Sequence, residues 1–153
     1  MPDMTIDDLI DKLKTNRLLR TEEEAKAFDE GLAALAQRSK SELKQHLPNI
    51  LLVFDDAAEH VEVMWGLLHF VEDFGIEEYL RAIGEAEPEL SNRASDWVDT
   101  FIVRILNSDE HHPVLREVLP TLPEAGRRSI HQILSARAAE SDKRKEQVNE
   151  VLG

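Results

Sequence analysis

Glu59, Glu62, Gly66, His69 and Asp73 recur at spacings of three and four residues, with Trp65 and Glu72 beside them. A helix through this segment would carry carboxylates, an imidazole and an indole on one face. Negative charge combined with a flat aromatic suits recognition of a cationic protein surface. Catalytic readings fare worse. His69-Phe70-Val71-Glu72 places a histidine and a carboxylate on neighbouring turns, but a metal centre needs further ligands. No Glu-x-x-His and no pair of histidines four residues apart occurs, which removes the di-iron and helical zinc patterns. His111-His112 face different sides of a helix and read as a turn, with a contribution to metal binding as the minor alternative. Glycine-rich phosphate loops, nucleophile elbows and dinucleotide fingerprints are missing, and the chain has no cysteine. The expectation is a binding protein, not an enzyme, without cofactor or metal.

A second acidic group lies further on, where Asp96 and Asp99 flank Trp97 and Arg104 follows. If successive long helices stack side by side, this face would join the first. The expected partner contacts are therefore Glu59, Glu62, Trp65, His69, Glu72, Asp73, Asp96 and Asp99. Trp97 reads as a core residue, whereas Trp65 fits either core or surface. Gly66 inside a helix costs about 1 kcal/mol relative to alanine. Close packing of another helix is the favoured compensation, ahead of close approach by a partner.

Charge sharpens the binding reading. The 153 residues carry a formal net charge of −13, which argues against direct contact with nucleic acid and towards a basic partner. Residues 39–110 hold 16 acids against 5 bases, whereas residues 111–153 hold 6 against 7. The longest apolar runs, such as Ile50-Leu51-Leu52-Val53-Phe54, are too short for a bilayer, and Met1-Pro2-Asp3-Met4 does not start a secretory signal. A cytoplasmic protein is expected, and the lack of cysteine suits a reducing compartment. With 42% hydrophobic residues the chain can fill the core of one domain spanning 1–153, its core roughly 5–139 followed by a charged helix over 140–153.

The elements that must position these residues all read as helices. Thr5 with Asp8, Thr21 with Glu24, and Ser39 with Glu42 have capping-box spacing. Ile6, Leu9, Ile10 and Leu13 form the first apolar face, ending near Asn16. Phe28, Leu32 and Leu35 belong to the second, which extends to about Arg38. Pro48 must kink or split the third. Asp55 and Asp56 are expected to cap a helix over Ala57–Phe74 that bears two apolar stripes, with Gly75 ending it. A short helix over Ile76–Ile83, an acidic turn Gly84-Glu85-Ala86-Glu87-Pro88 and a long helix to about Leu106 follow. A short helix from His112, one after Pro123 burying Ile130, Ile133 and Leu134, and a charged helix over Ser141–Leu152 complete the chain.

Leu43-Lys44, Leu80-Arg81 and Leu115-Arg116 lie 37 and then 35 residues apart. That period fits an all-α fold of stacked antiparallel helical hairpins, HEAT- or armadillo-like, and an irregular helical bundle fits it as well.

The run from Met64-Trp65-Gly66-Leu67-Leu68-His69 through Phe74 to Tyr79-Leu80, with Ala94-Ser95-Asp96-Trp97 and Arg104-Ile105-Leu106-Asn107, resembles immunity protein family 30 of bacterial polymorphic toxin systems. The likeness covers roughly residues 40–135. It implies an all-α protein that binds and neutralises a cognate toxin domain, and supplies no catalytic residues to carry over. An acidic inhibitor of this kind could occlude the basic cleft of a nuclease toxin. A HEAT-like adaptor for another cytosolic protein is the alternative.

Overall fold

The computed structural model describes residues 4–153; Met1, Pro2 and Asp3 of the start read above lie outside the described residues. The chain is all-α, with no strand among the described residues. It divides into two compact units, Met1–Gly75 and Ile76–Gly153.

In the first unit, α1 (Ile6–Thr15) begins at a complete capping box, with Thr5 and Asp8 each accepting from the other's backbone N–H at 3.0 Å. Its Leu9, Ile10 and Leu13 pack on α2 (Glu22–Ala36), which buries Phe28 and Leu35. Thr21 caps α2, but the Glu24 carboxylate reaches past it to accept from the Arg20 N–H at 3.0 Å. The proline break falls where expected. A one-turn α3 (Lys40–Leu43) passes through a 3-10 turn into α4 (Leu47–Leu51), with Pro48 in its first turn, where its missing donor costs nothing.

α5 (Val61–Glu72) starts four residues later than its apolar pattern implies. Asp55 does not cap it; its carboxylate accepts from the Ala57 N–H at 2.8 Å and closes a turn. The chain then runs beside the segment before α2, with the Glu59 N–H donating to Leu18 O at 2.9 Å and the His60 N–H to Leu19 O at 3.2 Å. These bonds hold residues 59 and 60 out of the helix. Leu19, whose side chain is fully buried, adopts φ 49°, a left-handed conformation uncommon for a residue with a β-carbon. α5 then buries Met64, Leu67, Leu68 and Val71, and Gly75 closes the unit at φ 97°.

In the second unit, α6 (Ile76–Ala86) extends through Gly84 where a turn was expected. Gly84 is buried at a crossing with α9 (Glu124–Ala138), and a β-carbon there would meet Leu122 at 3.0 Å. The long helix α7 (Glu89–Leu106) is kinked at Ala94 (φ −137°, ψ 40°) and buries Trp97, Phe101 and Ile105. The rings of Phe101 and Tyr79 of α6 lie 5.3 Å apart. α8 (His112–Val118) precedes α9, and α10 (Asp142–Leu152) packs on both through Val148 and Val151. The three repeated leucines, Leu43, Leu80 and Leu115, are all fully or almost fully buried. Ile130 and Leu134 are buried as expected, whereas Ile133 is half-buried.

Candidate functional site

The outer face of α5 carries most of the acidic and aromatic residues singled out from the sequence. Val61, Glu62, Gly66, His69 and Asp73 are exposed, with Trp65 half-buried among them. Helical spacing places Val61, Trp65 and His69 along one ridge, and the indole and imidazole centroids are 6.0 Å apart. His69 Nδ1 stands 3.4 Å from Glu72 Oε1. Asp73 pairs with Lys40 Nζ at 2.9 Å, and that ammonium also lies 6.0 Å from the centre of the Phe74 ring. Glu59 is exposed but stands before the helix, in the segment bonded to Leu18. It therefore does not share the line of Glu62, Gly66 and His69.

Gly66 differs from the expectation of close helix packing. A β-carbon added there would find only Leu32 Cδ2, at an ordinary 3.6 Å. Nothing in the unit demands glycine at this exposed mid-helix position, although glycine costs about 1 kcal/mol there. Val61 was not foreseen as a surface residue. It is 43% exposed, one turn before Trp65, although an apolar residue in this helix belongs by type with its two apolar stripes.

Asp96 and Asp99 lie in the second unit, on the wall of a groove of about 440 Å³ between α7 and α9. Asp96 is exposed. Asp99 is half-buried and grips Arg137 of α9 through both oxygens, with Nε donating to Oδ1 at 3.1 Å and Nη2 to Oδ2. The carboxylate holds this guanidinium still more firmly protonated than usual. Asp99 thus joins two helices of its own unit. Trp97 is 8% exposed and belongs to the core, as its spacing implied.

His112, which reads as a turn residue from its spacing, is buried. It is 2% exposed, its Nε2 lies 2.8 Å from Leu106 O, and its Nδ1 lies 2.5 Å from Glu150 Oε2. Burial disfavours the charged ring, but the Leu106 carbonyl and the Glu150 carboxylate outweigh it and raise the pKa above its ordinary value. Asp109 Oδ1 stands 4.0 Å from Nδ1. Among the described residues this is the one group of three side chains whose donor atoms converge as metal ligands do; the pair His69 and Glu72 has no third member. No described helix is long and apolar enough to cross a membrane.

No curated protein and no solved structure matches the chain. The profile of the family described as Immunity protein 30 matches residues 15–115, a stretch that contains α2 to α7 and the whole α5 face. The all-helical architecture agrees with the fold that the likeness implied, and the match takes in two-thirds of the chain. The protein belongs to the immunity protein 30 family, whose members confer immunity against toxins.

Proposed function

We propose that this protein neutralises a cognate bacterial toxin of a polymorphic toxin system by binding its toxin domain through the outer face of α5, in the cytoplasm of the cell that makes both. The observation that carries this reading is Gly66. An exposed glycine in mid-helix, unneeded by internal packing, lets another molecule approach the backbone closely. Beside it, Trp65 offers a large rigid side chain at low entropic cost, and Glu62 and Glu72 supply negative charge.

The acidic balance of residues 39–110 favours a basic toxin surface, and charge complementarity of this kind accelerates association and selects the partner. Inhibition by this route is stoichiometric and needs no turnover. Glu59 and Asp73 belong to the rim of the surface, and Asp96, exposed on the second unit, supplies a further contact of its own. Asp99 is already engaged by Arg137 and contributes through the shape of α7.

The test takes the protein encoded by the gene next to this one as the candidate toxin. The two proteins should co-purify as a complex, and Glu62→Lys combined with Trp65→Ala should weaken it by at least about 100-fold while circular dichroism stays helical. Reversing Glu62, Glu72 and Asp73 together to lysine should abolish it. Unchanged affinity in both variants, with the fold intact, would overturn the assignment of this face.

A further inference from the structure

We propose that Asp109, His112 and Glu150 form a binding site for a divalent transition-metal ion of the zinc type, which fastens α10 to the junction of α7 and α8. The three residues come from the 3-10 turn before α8, the first position of α8 and the last turn of α10. Their donor atoms all lie within 4.8 Å of one another, at a depression of about 260 Å³ that opens to solvent and is also lined by Pro113 and Arg116.

The buried histidine sets this group apart from a chance meeting of surface acids. Donation from His112 Nε2–H to Leu106 O at 2.8 Å fixes the ring and leaves Nδ1 as the atom facing the carboxylates. Metal-ligating histidines are oriented in the same way, by a hydrogen bond from the ring nitrogen that does not touch the metal. The imidazole is 2% exposed, so its direction is set by the core and not by solvent.

The distances suit an ion after small movements. Bonds of about 2.0–2.1 Å in a tetrahedral site place donors roughly 3.3 Å apart. Nδ1 now lies 2.5 Å from Glu150 Oε2 and 4.0 Å from Asp109 Oδ1, so one carboxylate withdraws and the other closes by under about an ångström. Both are free to do so, with side chains 60% and 88% exposed. Water completes the fourth position.

Charge is consistent with this exchange. The ion displaces the proton from Nδ1 to solvent, leaving a neutral imidazole and two carboxylates to balance a dication. Arg116 on the rim opposes the dication, so both carboxylates are required. One imidazole with two carboxylates favours zinc over magnesium, which prefers oxygen ligands and retains its water.

The experiment is calorimetric titration of Zn²⁺ into the full-length protein after chelator treatment, at neutral pH, together with thermal unfolding. One ion per chain should bind, with a rise in Tm, and a tenfold excess of Mg²⁺ should not displace it. Asp109→Asn and Glu150→Gln should each weaken binding at least about tenfold, and the double variant should lose the single-ion uptake and the Tm rise while remaining helical. Glu117→Gln, which removes an exposed acid elsewhere on α8, should change neither. No stoichiometric uptake by the unsubstituted protein, or equal affinity in the double variant, would overturn the proposal.

Discussion

A β-carbon placed on Gly126 of α9 would lie 2.6 Å from the Cα of Gly84 in α6, so the two helices meet backbone to backbone. No side-chain rearrangement relieves such a contact, because the obstructing atom belongs to the main chain. Gly126→Ala should therefore lower stability by about 1–3 kcal/mol, the range of overpacking in a filled core. Urea denaturation monitored by circular dichroism measures it. A loss below about 0.5 kcal/mol would mean that α6 and α9 separate easily.

The same substitution should act in the opposite direction at Gly66. Its added methyl meets Leu32 at an ordinary distance and faces solvent, so Gly66→Ala should gain about 0.5–1 kcal/mol from helix propensity. If a toxin approaches the α5 backbone here, the more stable protein should also be the weaker inhibitor. Equilibrium denaturation and a binding titration on one preparation read both effects. Greater stability with unchanged affinity would move the interface away from Gly66.

Asp99 and Asp96 look equivalent in sequence but should respond differently. Asp99→Asn removes the charge from a partly buried bidentate pair and leaves Arg137 with Glu140 alone, so stability should fall by about 1–2 kcal/mol. Asp96 is exposed, where charge interactions are screened and worth little, and Asp96→Asn should cost under about 1 kcal/mol. Denaturation midpoints of the two variants, compared directly, decide the matter.

At the start of α2, the Arg20 side chain and backbone N–H hold the Glu24 carboxyl below its ordinary pKa of 4.5. A carboxyl depressed in the folded state contributes stability that is fully present above 4.5 and is lost as pH falls through its folded value. The unsubstituted protein should therefore exceed Glu24→Gln in stability at pH 6, with the gap shrinking as the pH is taken below 4.5. A gap independent of pH would assign the effect of Glu24 to packing.

Local signals were the legible part of this fold. Thr5, Thr21 and Ser39 all cap helices, Pro48 splits one, and Trp97 is core, because each depends on a few neighbouring residues or a regular apolar spacing. What the sequence concealed depends on pairings between distant segments. Glu59 and His60 are drawn out of α5 by the carbonyls of Leu18 and Leu19, some 40 residues earlier, and Gly84 lies inside α6 where Gly126 of α9 crosses it. His112 likewise looks like a turn residue until Leu106 and Glu150 are placed beside it. On the candidate surface, the shared exposed face of Glu62 and His69 was legible from helical periodicity, whereas Trp65 fitted core or surface and is half-buried. The role of Asp99 was not, since its partner Arg137 lies 38 residues away.

Val61 separates binding from folding on α5 by comparison of two measurements. It is 43% exposed, so its buried part already stabilises the fold, and Val61→Ser should lower stability by about 1 kcal/mol without unfolding the protein. At an interface the remaining exposed apolar area would be covered. Covering it contributes about 1 kcal/mol, so the substitution should weaken toxin binding roughly fivefold. The change should lie in the dissociation rate, since Val61 carries no charge to steer the encounter, whereas Glu62→Gln should act chiefly on the association rate and do so less at high salt. Surface plasmon resonance at two ionic strengths separates the two rates. If neither substitution alters either rate, the toxin does not bind the first turn of α5.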